Sequence, residues 1–149
     1  MNNIGAEPFV LNAKEVACMN TNYRTAVWTG CYMQMTVMSI APCDDVGMEI
    51  HPDTDQIIRI EQGSGYVVMC TCKNEPQIQR PVCQGDIILV PAGIWHNVIN
   101  TEKTPLKLSV LYAPPHHPKD TIHRVKSDAK EYGETEHGRE NSYVQKTCR

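Results

Sequence analysis

The chain has 149 residues, with 14 Lys and Arg against 17 Asp and Glu, for a net charge of −3. That length builds one domain with a sizeable core, and the slightly acidic balance argues against a nucleic-acid footprint. Apolar runs are a few residues long, far below the ~20 needed to cross a bilayer. The opening MNNIGAEPFVLNAKE has neither the basic nor the apolar region of a secretion signal. A cytoplasmic protein with no nucleic-acid or membrane partner is expected, and its seven Cys are read as reduced thiols. Cys70 and Cys72, two apart on a strand, share a face but lack zinc-finger spacing.

Residues 1–22 read as an N-terminal extension, an irregular entry with one strand or helical turn. Residues 23–118 then carry strand-like runs rich in β-branched, Met and aromatic residues: 25–28, 32–40, 47–51, 56–61, 65–72, 77–82, 86–90, 96–100 and 106–112. Turn chemistry separates them, as at Pro52-Asp-Thr-Asp55, Gln62-Gly-Ser-Gly65 and Pro91-Ala-Gly93. Short strands at this spacing predict an all-β sandwich or barrel, the double-sheet jelly roll being one option. Residues 119–149 are dense in charge and poor in large apolar side chains. Asp128-Ala-Lys-Glu131 is a capping box for one short helix, and a flexible tail is expected beyond Gly133.

One stretch stands out, Gly85-Asp-Ile-Ile-Leu-Val-Pro91-Ala-Gly93-Ile-Trp-His96-Asn-Val-Ile-Asn100. An apolar strand meets a Pro-x-Gly turn, and three residues past the Gly a His heads a second strand, held on rigid backbone as a metal ligand must be. Upstream, Glu49 and His51 are two apart on one strand face. The Pro52–Asp55 turn then reverses the chain, which places Gln56 across a hairpin from His51. With His96 arriving from a third strand, Glu49, His51, Gln56 and His96 form a candidate four-ligand set.

These spacings resemble the two cupin motifs, G(X)5HXH(X)3–4E(X)6G and G(X)5PXG(X)2H(X)3N. The second matches at Gly85, Pro91, Gly93, His96 and Asn100. The first matches in spacing through His51 and Gly63, with Cys43 at the opening Gly, Glu49 at the first His and Gln56 at the usual Glu. The resemblance covers about residues 30–113, and within the family it is nearest to small bacterial cupins of the mannose-6-phosphate isomerase-like kind. It implies a double-stranded β-helix (jelly-roll) barrel, followed by a short helical or disordered C-terminal tail, and a homodimer whose Met-rich first third supplies the shared sheet. Two imidazoles and one carboxylate suit one divalent transition metal: Zn, Mn, Fe, Ni or Co.

The function implied is a metalloenzyme, isomerase- or lyase-like, acting on a sugar or other small hydroxy-carbonyl compound with the metal as Lewis acid. Glu49, or His116 at the rim, is the candidate proton carrier, and Gln34 and Tyr112 are candidate substrate contacts. Two other readings stay open, an Fe(II)-dependent dioxygenase and a non-catalytic small-molecule-binding module. Arg59 is expected outside the barrel in a surface ion pair, and Trp95 is expected to point away from the ligand His.

Overall fold

A computed structural model describes residues 4–72 and 75–130. Alternation of apolar and polar side chains along the strands decides which face each turns inward. In β3 (Asp55–Gln62), Gln56, Ile58 and Ile60 are buried while Asp55, Ile57 and Arg59 are exposed. Around it stand β1 (Arg24–Thr29), β2 (Gln34–Ile40), β4 (Ser64–Cys70), β5 (Ile78–Cys83), β6 (Ile87–Val90), β7 (Trp95–Asn100), β8 (Leu106–Ala113) and β9 (Ile122–His123). They form a six-stranded sheet in the order β6-β3-β8-β2-β1-β9 and a three-stranded sheet in the order β5-β4-β7. All pairs are antiparallel. This is the jelly-roll barrel that the motif resemblance implies, and one of the architectures that the strand pattern allows.

The core lies between the two sheets. Met38, Ile40, Ile58, Ile60, Leu108 and Val110 of the large sheet meet Val67, Val82 and Val98 of the small one. Each such side chain contributes about 1.5–3 kcal/mol by leaving water. Gly65 has a specific reason to be glycine, because a Cβ there would stand 2.4 Å from the Ile99 carbonyl oxygen.

A second apolar cluster lies on the outer side of the large sheet, under the helix α1 (Ala13–Met19). Val16 and Ala17 pack on Val27 and Val37 there. The helix starts where the Asn12 side chain accepts from the Glu15 N–H (3.0 Å). At its other end the Lys107 ammonium donates to the Asn20 carbonyl (2.5 Å) and to Ser39 Oγ (3.0 Å), a cation where the helix dipole favours one. Burial pushes the Lys107 pKa below its usual value.

The structure departs from the sequence reading at several places. Residues 47–51 do not form a hairpin with β3. They run antiparallel to β7 in the small sheet, joined by isolated bridges at Asp45–Ile99 and Glu49–His96, while β3 pairs with β6 and β8. Gly47, at φ +92°, interrupts the ladder there. The short C-terminal helix α2 (Lys126–Lys130) begins before Asp128, whose carboxylate reaches back to the N–H groups of Arg124 (2.8 Å) and Val125 (3.2 Å). Asp128 therefore closes the first turn from inside the helix. Ahead of it, β9 extends the large sheet beside β1. The tail expected beyond Gly133 lies outside the described residues. Cys18, Cys31, Cys70, Cys72 and Cys83 are free thiols, whereas Cys43 is disulfide-bonded and departs from the reduced set.

Asn100 is the polar anchor of the fold. Its fully buried amide donates to the carbonyls of Ile40 (3.1 Å), Ala41 (3.1 Å) and Thr104 (2.8 Å) and accepts from the Glu102 N–H (3.0 Å). Asn100→Ala orphans three carbonyls and is expected to cost about 3 kcal/mol or more. Urea unfolding of wild type and variant measures it.

Candidate metal centre

The turn Pro91-Ala-Gly93 delivers His96. Gly93, at φ +81°, adopts the left-handed backbone the turn requires, and its N–H donates to the His51 carbonyl (2.9 Å). The Ala92 N–H donates to Asp55 Oδ1 (2.9 Å). The turn is thereby tied to both ends of the 51–55 segment. His96 heads β7, and its backbone exchanges two hydrogen bonds with Glu49: Glu49 N–H to His96 O (3.0 Å) and His96 N–H to Glu49 O (2.9 Å). In such a pair the two side chains project from directly opposed positions on the same face.

Glu49, His51 and His96 therefore meet. His51 Nε2 stands 3.3 Å and His96 Nε2 3.4 Å from Glu49 Oε1. One donor atom from each of the three lies within 4.8 Å of the others, a group that could hold a metal ion. Both histidines are buried, and neither Nε2 has a hydrogen-bond partner. His96 Nδ1 is 2.9 Å from the Ile94 carbonyl. A carbonyl only accepts, so Nδ1 donates to it, and Nε2 is the ring nitrogen turned toward Glu49. Burial acts to raise the Glu49 pKa, but the adjoining imidazoles of His51 and His96 outweigh it and hold the carboxyl well below its usual range. The donor set of one carboxylate and two imidazoles fits a divalent transition cation.

Gln56 is buried on the inner face of β3, opposite Tyr112 and Val90 in register, and its Oε1 has no hydrogen-bond partner. The route to this position differs from the expected hairpin, since β3 belongs to the opposite sheet from the Glu49 segment.

His116 lies against His51, ring centroids 4.3 Å apart, and stacks on Tyr112 at 5.6 Å with 22° between planes. Tyr112 meets His51 edge-on at 6.1 Å and is fully buried. Gln34, read from sequence as a substrate contact, has its amide engaged elsewhere. Its Nε2 donates to the His117 carbonyl (2.8 Å) and Thr29 Oγ1 (3.0 Å), and its Oε1 accepts from the N–H groups of His116 (3.2 Å) and His117 (2.9 Å). Both donors are spent. Gln34 thus clamps the segment that carries His116, and no donor remains for a substrate. Arg59 is outside, 3.8 Å from Glu61.

Histidine clustering extends further than the sequence reading reached. His96, His51, His116, His117 and His123 form an unbroken series of ring contacts at 5.3, 4.3, 4.8 and 6.2 Å. Arg24 Nη1 donates to His123 Nδ1 (3.3 Å) at its end. Five of the six histidines are in this row, and the sixth, His137, lies outside the described residues. The sequence reading also missed the support behind Glu49. Asn97 accepts from the Gly47 N–H (3.0 Å) and donates to Asp45 (2.9 Å), and Lys126 holds Asp45 (2.5 Å) and Asp44 (3.0 Å). The only sequence signal was the position of Asn97 beside His96.

Fold and site together define a β-barrel protein with a carboxylate–imidazole cluster inside. Residues 6–131 match the cupin family, and the chain belongs to it. It is 51% identical over 125 residues to the Bacillus subtilis (strain 168) protein YrkC, spanning 84% of this chain and 67% of that one. Protein L612 of Acanthamoeba polyphaga mimivirus is 39% identical over 115 residues, 76% of this chain and 70% of that one. Among solved structures, BH2720 from Bacillus halodurans superposes with a TM-score of 0.86 at 44% identity, covering 88% of this chain and 99% of the other.

Two outcomes follow for the site. A Glu49 carboxyl whose folded pKa is depressed stabilises the fold fully above its ordinary value of 4.5, and that stabilisation is lost as pH falls below it. In chelator-treated protein, Glu49→Gln is expected to flatten this acid limb of the stability profile, read by thermal unfolding from neutral to acid pH. Gln34→Leu removes the clamp on residues 116 and 117 at an expected cost of about 2–4 kcal/mol. Faster amide hydrogen exchange at His116 and His117 than elsewhere in the barrel would mark the loss as local.

Proposed function

We propose that this cupin is a cytoplasmic, divalent-metal-dependent enzyme of isomerase or lyase type. Its substrate is a sugar or another small hydroxy-carbonyl compound. The observation that carries the reading is the convergence of His51 Nε2 and His96 Nε2, buried and without hydrogen-bond partners, on the Glu49 carboxylate. Buried ring nitrogens left without a hydrogen-bond partner are costly in a protein that binds nothing there. Glu49, His51 and His96 would hold the cation, and the orphaned oxygen of Gln56 is the fourth donor or orients the substrate. A bound cation supplies Lewis-acid polarisation of a substrate oxygen.

The remaining steps fall to the chain itself. His116, resting on His51 and Tyr112, is placed to carry a proton between substrate carbons or oxygens. Tyr112 walls the site, and Gln34 keeps His116 in register. The same two-His, one-carboxylate set is used by Fe(II) oxygenases, and oxygen uptake by the Fe(II)-loaded protein separates the two chemistries.

The test is elemental analysis of purified protein. About one divalent metal per chain is expected in wild type and none above background in His51→Ala and His96→Ala, with Gln56→Ala reducing affinity about 10–100-fold. Wild type as metal-poor as the two His variants, even after incubation with Zn, Mn, Fe, Ni or Co, would sink the reading.

A further inference from the structure

The outer face of the small sheet is apolar at its centre, yet water does not reach it. Val67 and Met69 of β4 and Val98 of β7 face the core, so by alternation Val68, Cys70, Asn97 and Ile99 point the other way. Register lays Val68 beside Asn97 and Tyr66 beside Ile99. Val68, Cys70 and Ile99 are each 1% exposed, and Asn97 is 0% exposed. Bare sheet in this protein looks different, since the outward Ile57 of β3 is 40% exposed and Leu89 of β6 63%. A strand that is apolar on both faces needs a layer over each. Among the described residues, the entry segment and both helices pack elsewhere. Ile4, Leu11 and α1 lie on the large sheet, and Ala129 of α2 lies on the core between the sheets.

Two further observations bear on what covers this face. The first is the course of the chain. The Lys126 ammonium is held by Asp45 (2.5 Å), which Asn97 of the covered face also contacts (2.9 Å). The C-terminal segment therefore sets out from the margin of this face. The second is Cys43, two residues before Asp45. It is disulfide-bonded, whereas Cys18, Cys31, Cys70, Cys72 and Cys83 are free thiols. Of the seven Cys in the chain, that leaves Cys148.

We propose that residues 131–149 form a strap over the outer face of the small sheet, fastened by a disulfide between Cys43 and Cys148. The reach is ample. The 18 residues from Glu131 to Cys148 extend to about 60 Å, while crossing two strands and returning takes roughly 19 Å. Tyr132, Tyr143 and Val144 are the large apolar residues of the segment, and they are the cover for Val68, Cys70 and Ile99. In a reducing compartment such a bond is transient. A dithiol reductant passes two electrons and two protons to it, leaving Cys43 and Cys148 as thiols and the reductant as its own disulfide. The strap is then held by apolar contacts alone. It lies behind β7, the strand that carries His96, but the proposal does not depend on the metal.

Cys70 is the reporter, because it is a free thiol on the covered face. Full-length protein is purified without reductant, its cross-links are mapped by non-reducing mass spectrometry, and iodoacetamide labelling is timed at each cysteine. One Cys43–Cys148 cross-link within the chain is expected, with labelling of the exposed Cys31, Cys72 and Cys83 and almost none at Cys70. In Cys148→Ser, and in wild type treated with dithiothreitol and desalted, Cys70 should label about 10-fold faster or more. Tyr143→Asp combined with Val144→Asp keeps the disulfide and should also speed Cys70 labelling. Circular dichroism melts confirm that each variant is folded. Cys43 found as a thiol, or joined to any other cysteine, its counterpart in a second copy included, overturns the fastening. So does a Cys148→Ser protein whose Cys70 labels like wild type. Cys70 equally protected in the folded Tyr143→Asp, Val144→Asp variant overturns the strap, and the cover is then something other than residues 131–149.

Discussion

The reciprocal pair of backbone hydrogen bonds between Glu49 and His96 is the constraint on which the site depends. Residues 44–51 have no regular strand of their own and hang on β7 through a few contacts: Asn100 N–H to Asp44 O (2.8 Å), Val46 N–H to Val98 O (3.0 Å) and the Glu49–His96 pair. Side chains alternate with a period of two, so a slip of one residue along β7 would turn Glu49 away from His96 and leave two imidazoles around an empty corner. Asn97, Asp45 and Lys126 fix the register from outside. The Lys126 ammonium has its pKa raised overall, because the carboxylates of Asp45 and Asp44 outweigh the burial that would lower it.

The rest of the polar interior follows the same logic of one side chain holding a backbone segment in place. Gln34 clamps residues 116–117, Asn100 clamps 40–41 with 102–104, and Asp55 clamps the turn before His96. In each case a side-chain amide or carboxylate spends its capacity on backbone groups that loops would otherwise leave unpaired. The atoms around the site that stay orphaned, on His51, His96 and Gln56, stand out against that background.

Much of this was legible in the sequence, for identifiable reasons. The strands β3 and β8 announce themselves by alternation, and the Gly85–Asn100 stretch couples a turn that favours Gly93 to a His at a fixed distance beyond it. Glu49 and His51 could be paired because two residues on one extended segment share a face. The partner of that segment could not be read, since a Pro-Asp-Thr-Asp turn looks the same whether it closes a hairpin or carries the chain across to another sheet. The Gln34 clamp was hidden for a related reason. It spans 82 and 83 residues, and nothing local distinguishes a glutamine that binds substrate from one that binds backbone. The docking of β9 was equally obscure, because two residues of strand leave almost no periodic signal.

The central claim, that Glu49, His51 and His96 are metal ligands, is tested most directly by X-ray absorption at the metal edge of cobalt- or zinc-loaded protein. A shell of nitrogen and oxygen donors at about 2.0–2.2 Å, with outer-shell scattering from two imidazoles, that loses its imidazole signature in His96→Ala is the expected result. A sulfur shell at about 2.3 Å, or a spectrum unchanged by His96→Ala, would contradict it.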